Sequence, residues 1–325
     1  MDVIANKHFL EKARNFADSI PMVWALYGLF WRVRMWLESH KKYSPTTPLV
    51  KFGDFPQPSL ANPVSQLCTA NQFLTDTYRK WCREIKSPAR YSRKQWEFVY
   101  IMQALSVNGM LTPGKKGLGF GCGREPLPGV FAKYGCSILA TDLSQEIAQE
   151  KGWVDTLQHS STLDELYTSA HRYISRSDFD KKVKFQAVDM NNIPPTFKHQ
   201  YDFTWSACAL EHLGSLRHGM DFVKNTADCL KPGGIAVHTT EFNLSSNDAT
   251  CEETGCSIYR AKDIQQLIRE LEEDDYIVSS LNLNVGENSV DHYIDAPPYG
   301  FSPHLKLALS GFVVTSIGLI IKRPI

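Results

Sequence analysis

The chain has 325 residues, of which 43% are hydrophobic, so it can bury a large core and is long for a single compact domain. Lys and Arg together number 35 and Asp and Glu together number 35, so the chain lacks the positive excess that draws most nucleic-acid-binding proteins to phosphate. Composition therefore predicts one large domain with an appendage and argues against a nucleic-acid partner.

The cysteine pattern and the N-terminal residues indicate a cellular compartment. Eight cysteines are present without a C-x-x-C pair, and no basic stretch precedes an apolar signal core. No run reaches the roughly 20 apolar residues that span a bilayer. The sequence therefore predicts unpaired thiols in a cytoplasmic protein that is soluble or peripheral to a membrane.

The first predicted helix in chain order is PMVWALYGLFWRVRMWL, at residues 21–37. Its apolar residues cover every helical face and are followed by Arg32 and Arg34. Residues 22–37 are therefore expected to be buried in a cap, to form a homodimer or to lie in a membrane interface, and these three alternatives stay open. A Pro-rich irregular stretch at 44–65 comes next, and the chain changes character near residue 90.

From about residue 106 onward, short β-rich runs alternate with helical stretches. The runs are KGLGFG, SILATDL, VKFQAVD, YDFTWSA and GIAVHTTEF. This alternation predicts a parallel sheet wound with crossover helices, in which ligands bind beyond the carboxyl ends of the strands. The chain finishes with two β-rich runs around Ser310 and Gly311, which predict an antiparallel hairpin.

Four glycines in seven positions, GLGFGCG at residues 117–123, belong to the first of these runs. Glycines at this density let a ligand approach the backbone, at an entropy cost that a plain turn does not require. The dinucleotide fingerprint G-x-G-x-x-G fails in every register, because its third glycine falls on Cys122, Arg124 or Pro126. GMLTPGKK imitates a phosphate-binding loop but precedes the strand that it should follow. The loop therefore predicts a ligand other than a nicotinamide or flavin dinucleotide.

The glycine loop, the acid that ends SILATD and the acid that ends FQAVD make residues 95–325 resemble the class I S-adenosylmethionine-dependent methyltransferases. The resemblance implies a Rossmann-like α/β fold, mostly parallel with a C-terminal antiparallel hairpin, and S-adenosylmethionine as the cofactor. It also implies that the loop backs onto the cofactor's methionine portion, that Asp142 binds the ribose hydroxyls and that Asp189 reaches the adenine amino group. The implied cofactor contacts are Gly119, Gly121, Gly123, Glu125, Asp142, Asp189, Met190 and Ser206.

The loop departs from the family pattern at two positions. The family often has an acid where Gly119 stands and a further glycine where Glu125 stands. Glu125 is therefore expected either to supply the missing charge for the cofactor's amino group or to cap the first turn of the following helix, near the positive end of its dipole. Both interpretations stay open.

The catalytic candidates follow the fourth and fifth predicted strands. Methyl transfer needs a base only for some acceptors, and a hydroxyl acceptor benefits most. His212 is the expected base, and the alternative is a histidine bonded to the helix end that follows. Glu241 and His292 are further candidates to orient an acceptor or take its proton. Together with Asp291 and Asp295 they offer ligands suited to magnesium, but nothing fixes their spacing, so no metal site is assigned.

We therefore expect a methyltransferase domain at 95–325 and an N-terminal helical cap at 1–94 that binds the acceptor. The expected reaction is O-methylation of a saccharide or another small polar metabolite. Two alternatives stay open, namely N-methylation of a small molecule and a non-catalytic module that keeps the fold for regulation or assembly.

Overall fold

The structure is a computed structural model that describes residues 49–150, 153, 159–253, 255–300 and 302–325. The predicted helix at 22–37 lies outside these residues. The helices of the described part are α1 Ala70–Phe73, α2 Asp76–Glu84, α3 Arg93–Val107, α4 Leu127–Lys133, α5 Gln145–Glu150, α6 Leu163–Ala170, α7 Arg176–Lys182, α8 Leu216–Asp228 and α9 Ala261–Glu273. Its strands are β1 Ser65–Leu67, β2 Lys116–Phe120, β3 Ser137–Asp142, β4 Val183–Ala187, β5 Tyr201–Ala207, β6 Leu230–Asn243, β7 Glu252–Glu253, β8 Cys256–Ser257, β9 Ile277–Val278, β10 Leu281–Asn282, β11 Ile294–Asp295, β12 Lys306–Leu309 and β13 Phe312–Lys322.

One large sheet organises the molecule, and its central order is β10-β1-β13-β6-β5-β2-β3-β4. Strands β2 to β6 pair in parallel, as the alternation of β-rich and helical stretches predicts. Strand β13 pairs antiparallel with β6 over nine residue pairs. This confirms the predicted fold class, a Rossmann-like sheet that is mostly parallel with a C-terminal antiparallel hairpin. Strand order reverses beside β2, and this switch point is where such sheets bind ligands.

The C-terminal hairpin turns at the two residues that the sequence singles out. Ser310 and Gly311 have φ of 48° and 90°, and β12 and β13 pair antiparallel on either side of them. A two-residue turn with both φ values positive matches the right-handed twist of the strands it joins. The predicted hairpin is therefore confirmed.

Short polar side chains determine where several helices begin. Thr75, Ser92 and Ser215 precede α2, α3 and α8, and each side-chain oxygen accepts a hydrogen bond from a backbone N–H in the first turn. Such caps satisfy donors that otherwise have no partner inside the helix. They fix the start of α3, whose first turn carries residues of the candidate site.

Part of the region that precedes α3 is joined to the main sheet. Strand β1 pairs with β13 and β10, and α3 lies against β13 where Gly318 leaves room for the ring of Tyr100. Trp96 Nε1 donates to Gln72 Oε1 at 2.8 Å, which ties α1 to α3. The division of the chain at 94/95 stays a prediction, and the strand at 65–67 shows that the two predicted parts share one sheet.

The eight cysteines are free thiols, as predicted. Burial raises the pKa of Cys136 to about 11, so this thiol stays protonated at neutral pH and is a poor nucleophile. Within the described ranges, no helix has the length and apolar character required to cross a bilayer.

Candidate active site

A cleft opens at the carboxyl ends of β2, β3 and β5, beside the switch point of the sheet. Its walls come from the glycine loop, from the segments that follow β3 and β4, and from the 3-10 turn that follows β5. The lining residues are Gly121, Asp142, Leu143, Trp153, His159, Asp189, Met190, Cys208, Ala209, His212 and Leu213. Five residues predicted from the sequence therefore meet here, namely Gly121, Asp142, Asp189, Met190 and His212.

The two glycines at 119 and 121 have different tasks. Gly121 lies in the left-handed region at φ 57°, and a Cβ there would come within 2.8 Å of the Ala209 Cβ and 3.3 Å of the Met190 Sδ. Its bare backbone therefore keeps the cleft open. Gly119 lies inside β2, where a Cβ would meet the Trp205 ring at 2.2 Å. Gly119 thus makes room for Trp205 in the core and lies behind the cleft, contrary to its predicted role as a cofactor contact.

Asp142 ends β3 with its carboxylate at the cleft. Its oxygens accept hydrogen bonds from Gly123 N at 2.9 Å and from Leu143 N at 2.8 Å. Burial raises its pKa, although these N–H groups act in the opposite direction. Oδ2 also accepts from Ser160 N at a longer 3.4 Å. A carboxylate has about four lone-pair sites, so Asp142 keeps one, on Oδ1, for a ligand hydroxyl. Gly123 contributes to the cleft by holding this side chain.

Asp189 and Met190 line the same cleft after β4, the strand next to β3. Asp189 is exposed, and its Oδ1 accepts from Asn191 N at 2.9 Å, which leaves the other oxygen open to a ligand donor. Met190 is buried beside Gly121 and supplies an apolar surface. Asp189 offers a hydrogen-bond acceptor for the amino group of an adenine ring, and Met190 offers an apolar surface for the face of that ring.

Glu125 does not lie in the cleft, and both interpretations of it need correction. The α4 helix begins after Pro126 without a side-chain cap, so Glu125 is not its capping residue. Its buried carboxyl instead accepts a hydrogen bond from Trp205 Nε1 at 2.7 Å. Burial raises the pKa of Glu125 to about 8, so the group is largely neutral at pH 7 and brings little negative charge to the cofactor.

Ser206 is also turned away from the cleft. It is completely buried, and its hydroxyl lies 2.8 Å from Nδ1 of His238, whose Nε2 lies 2.9 Å from the Thr226 hydroxyl. Burial lowers the pKa of His238 to about 3, so this ring is neutral. The predicted cofactor contact at Ser206 is therefore corrected: its side chain joins a polar row beneath the sheet because alternate residues of a strand face opposite sides.

His212 lies on the cleft wall, in the 3-10 turn Leu210–His212. Its Nδ1 is 2.6 Å from the carbonyl oxygen of Gly255, and its ring centre is 4.6 Å from that of Trp153. A carbonyl only accepts, so Nδ1 must carry the hydrogen, and the neutral ring has its lone pair on Nε2. The geometry thus gives His212 the tautomer of a base, while its catalytic role stays a prediction.

A buried group of acids adjoins the cleft at Cys208. We call Glu97, Glu211 and Glu241 the carboxylate cluster. Cys208 follows β5 at a φ of 48°, lines the cleft and donates through Sγ to Glu97 Oε1 at 3.0 Å. Arg93 reaches in from α3, with Nη2 at 2.6 Å from Glu241 Oε1. Cys208 therefore separates the cofactor cleft from a charged, buried interior.

The carboxylate cluster has a surplus of negative charge once Glu241 is ionised, above about pH 7. Three carboxylates face Arg93 and Lys94, whose Nζ lies 3.2 Å from Glu97 Oε2. Burial raises the pKa of Glu241 to about 7, although Arg93 acts in the opposite direction. Burial acts likewise on Glu97, but Lys94 and Arg93 together hold the pKa of that group below its ordinary value.

The cluster fits a metal ion poorly, and the predicted loop ligands do not reach it. Ligand atoms of Cys208, Glu211 and Glu241 lie within 4.8 Å of one another, but the guanidinium of Arg93 already places a positive charge beside them. His292 is exposed in a different pocket, beside residues 49–55, so its predicted place at the active site is wrong. His292 lies there because Asp291 and Asp295 fix the packing of its loop.

Asp291 and Asp295 hold this loop in place. Asp291 is buried and accepts from Ala70 N at 2.9 Å, while Asp295 lies 2.6 Å from His304 Nδ1. Neither carboxylate turns toward Glu241. The sequence also misses Arg93, Glu97 and Cys208. The signal that could have found Cys208 is its place directly after the fourth parallel strand, whereas Arg93 and Glu97 precede all the parallel strands β2 to β6 and reach the site only through the packing of α3.

A doubly wound sheet with an open glycine loop and acids after its second and third parallel strands defines an α/β enzyme of the class I methyltransferase type. The family model described as "Methyltransferase domain" matches residues 93–272, which is more than half of the chain. The protein therefore belongs to this methyltransferase family and is an S-adenosylmethionine-dependent enzyme.

Similar solved structures include a SAM-dependent methyltransferase from Methanosarcina mazei, 13% identical, which covers 68% of this chain and 97% of its own with a TM-score of 0.43. The magnesium protoporphyrin IX methyltransferase from Synechocystis PCC 6803 with bound SAM is 13% identical and covers 78% of this chain and 94% of its own, with a TM-score of 0.41. No curated protein matches the sequence. The family assignment rests on the family model alone.

The described residues fit S-adenosylmethionine. Gly121 presents bare backbone to the cleft where a Cβ would fill it, as the methionine portion requires. Asp142 retains a lone pair on Oδ1 for a ribose hydroxyl, and Asp189 with Met190 offers an edge and a face for adenine. The cofactor contacts that remain from the sequence prediction are therefore Gly121, Asp142, Asp189 and Met190, with Gly123 in a supporting position.

Proposed function

We propose that the protein transfers a methyl group to a hydroxyl oxygen of a saccharide or another small polar acceptor. The observation that carries this proposal is the carboxylate cluster, which meets the cofactor cleft at Cys208. Glu211 Oε1 and Glu241 Oε2 are buried without a hydrogen-bond partner among the described residues. Because buried polar atoms are nearly always paired, an acceptor that donates several O–H groups suits these oxygens.

The chain's part in this reaction is to hold and deprotonate the acceptor. When bound, S-adenosylmethionine supplies an electrophilic methyl group. His212 Nε2 takes the proton of the acceptor hydroxyl as its oxygen gains the methyl group. Glu241 accepts a hydrogen bond from the acceptor and fixes its orientation, and Arg93 keeps Glu241 in place from the other side. Lys94 and Arg93 anchor Glu97 in the same way.

Methyl transfer to nitrogen is the second candidate, and the charge of the carboxylate cluster supports it. Three carboxylates face two cations, so the cluster would also attract an amine acceptor. An amine must lose its proton before it can attack, and a surplus of carboxylates holds that proton on nitrogen. This opposes the reaction with an amine, and we therefore favour a hydroxyl acceptor.

The partner proposed for the protein is a small-molecule or glycan acceptor. The helical cap at 1–94 is proposed to cover that acceptor, with β1, α1 and α2 as its described elements. Contact with a membrane or a second copy through residues 22–37 stays a prediction outside the described residues.

The test incubates the full chain with S-adenosylmethionine that carries an isotope-labelled methyl group, together with polyhydroxylated and amine acceptors. The chemical shift of the labelled carbon in the product distinguishes a methoxy from an N-methyl group. We expect a methoxy product. An N-methyl product, obtained from amines and not from hydroxyl acceptors, would overturn the proposal.

A matched pair of variants tests the place of the acceptor. At pH 8, where a Glu241 with a pKa of about 7 is charged, Glu241→Gln should raise the KM for the acceptor at least about tenfold, because hydrogen bonds to charged groups are stronger than neutral ones. The affinity for S-adenosylhomocysteine should stay within about twofold, since Glu241 lies outside the cofactor cleft. Glu273→Gln, an exposed residue at the end of α9, removes the same charge and should change neither value. An unchanged KM in Glu241→Gln would remove the cluster from the acceptor site.

A further inference from the structure

A second concave site, which the methyl-transfer chemistry does not use, lies between α2, α3, the glycine loop and α6. We call Arg90, Lys94, Arg124 and Arg172 the basic pocket. Four cationic side chains line this cavity of about 340 Å³, and its lining includes no carboxylate. The other lining residues are Ile85, Ser87, Gln95, Phe98, Pro126, Thr168 and Ser169. On a chain with equal numbers of acidic and basic residues, this is a strong local separation of charge.

Two of the four cations have no ionic partner in the described part of the chain. Arg90 and Arg172 are exposed, and neither forms an ion pair or a side-chain hydrogen bond with the described residues. Arg124 is paired with Glu165 at 3.6 Å, where both side chains are about one-third exposed, so that pair contributes little. Like charges around one cavity repel each other unless an anion sits among them.

The chemistry of the lining suits a phosphate group. Guanidinium groups present forked donors that match the oxygens of phosphate, and three of the four cations are arginines. Ser87 Oγ accepts from Gln95 Nε2 at 2.9 Å, which leaves its O–H free to donate. The pocket therefore offers several charged donors and a neutral one.

Two hydrogen bonds join the basic pocket to the cofactor cleft. Lys94 Nζ donates to the carbonyl of Ala207 at 2.8 Å, next to Cys208 at the wall of the cleft. Arg124 follows the glycine loop, and its Nε donates to the carbonyl of His159, another cleft residue, at 3.4 Å. Lys94 and Arg124 therefore line the basic pocket and also contact the wall of the cofactor cleft or the residue next to it.

From this arrangement we infer that the basic pocket binds a phosphate group carried by the methyl acceptor. The inference rests on the proposed function and narrows the proposed acceptor to a phosphorylated small polar metabolite. The phosphate is held by Arg90, Arg124 and Arg172, and the polyhydroxylated part extends past Lys94 to the carboxylate cluster. The opposite charges of the two sites give the acceptor a single orientation.

The test measures binding of inorganic phosphate to the full chain by calorimetry, with S-adenosylhomocysteine present at saturation. We expect binding to the wild type. In the double variant Arg90→Gln and Arg172→Gln, binding should weaken at least about tenfold, which corresponds to about 1.4 kcal/mol. The control removes two exposed charges outside the pocket, through Arg269→Gln and Lys184→Gln, and should bind phosphate as the wild type does.

Several outcomes would overturn the inference. Absent phosphate binding, or equal binding by both double variants, removes the anion site. Loss of S-adenosylhomocysteine affinity in the pocket variant, together with competition between phosphate and that ligand, assigns the pocket to the cofactor's carboxylate. Binding to phosphatidic acid vesicles without binding to free phosphate assigns it to a lipid headgroup.

The two proposals of this protein fail separately. Methylation of a neutral saccharide without phosphate binding would overturn only the phosphate site proposed in the basic pocket. Phosphate binding without transfer to any hydroxyl acceptor would overturn the proposed reaction, while the basic pocket would remain an anion-binding site. Phosphorylated and unphosphorylated forms of one acceptor complete the comparison, and the pocket variant should raise the KM of the phosphorylated form alone.

Discussion

Gly121 has a backbone conformation, at φ 57°, that side chains rarely adopt, and its missing Cβ would touch Ala209 and Met190. Gly121→Ala should therefore lower the affinity for S-adenosylhomocysteine at least about tenfold, because a methyl group would enter the cleft and left-handed strain of about 1–2 kcal/mol would be added. Calorimetric titration and thermal unfolding measure the two effects.

Gly109→Ala is the matched control for this substitution. Gly109 also has a positive φ, of 73°, but no atom lies within 4 Å of its added Cβ. This variant should lose similar stability and keep its affinity for S-adenosylhomocysteine. Equal affinity in both variants would mean that Gly121 does not face the cofactor.

His212 is the candidate whose position and tautomer both suit the role of general base. His212→Gln should preserve cofactor affinity, because the amide can still donate to the Gly255 carbonyl, but should lower kcat by roughly 10²–10⁴, the usual contribution of a positioned base. The measurement is single-turnover kinetics with the identified acceptor. If the variant keeps more than about a tenth of the wild-type rate, His212 is a wall residue and Glu241 is the next base to test.

At the residue scale, the sequence predicts the positions that a local motif determines. Asp142 and Gly121 follow directly from the strand ends, since a parallel strand must deliver its last residue to the ligand edge. The side-chain directions of Glu125 and Ser206 instead depend on hydrogen bonds with Trp205 and His238, which are far away in sequence. Side-chain direction at those positions is a tertiary property, which no local pattern encodes.

The contact between α3 and β13 positions the helix that brings Arg93 to the active site. A Cβ on Gly318 would lie 2.1 Å from the Tyr100 ring, and both residues are inside the core. Gly318→Ala should therefore destabilise the fold by about 1–3 kcal/mol through overpacking, measured by urea unfolding. Alanine in a strand is otherwise more favourable than glycine, so the sign of this effect is diagnostic.

Gly300→Ala serves as the control for Gly318→Ala. The nearest atom to its added Cβ is a carboxylate oxygen of Asp295 at 3.8 Å, an ordinary contact. We expect the free energy of unfolding to change by less than about 0.5 kcal/mol there. A stabilising Gly318→Ala would show that α3 packs on the sheet in another way.

At the element scale, the long strands are predictable because they are rich in β-branched and aromatic residues, and the hairpin is predictable because Ser310 and Gly311 tolerate positive φ. Strands β1, β9, β10 and β11 contain two or three residues each. Such strands carry no periodic pattern and form only where a neighbouring edge offers hydrogen bonds, so the sequence does not reveal them.

Across the whole molecule, charges of opposite sign are sorted into two sites that adjoin the cofactor cleft. The carboxylate cluster lies inside Cys208, the basic pocket lies beside the glycine loop, and Lys94 contacts both through Glu97 and Ala207. A balanced net charge conceals this separation, which arises only when α3 packs on the sheet. The total charge of a sequence therefore limits long-range attraction without limiting what a pocket binds.

Buried acids also couple folding to pH, and Glu125 is the clearest case. Its pKa rises from 4.5 to about 8 on folding because burial disfavours its charged form. A carboxyl whose pKa is raised by folding contributes its full stability below the pKa that it has in the unfolded state. This contribution is lost as pH rises through the pKa that it has in the folded state. The free energy of unfolding should therefore decline between about pH 4.5 and 8, to which the raised pKa of Glu241, about 7, adds over a narrower range.

Glu125→Gln should remove most of this decline, because glutamine has nearly the same shape, does not titrate and still accepts from Trp205 Nε1. Relative to the wild type, the variant should gain stability as pH rises from 4.5 to 8, by at most roughly 5 kcal/mol, since each pKa unit corresponds to 1.36 kcal/mol. Urea unfolding at several pH values measures the difference, with exposed Glu273→Gln as the control. Parallel pH profiles for wild type and Glu125→Gln would show that this carboxyl is ionised in the folded protein, with Lys94 or a similar cation as its partner.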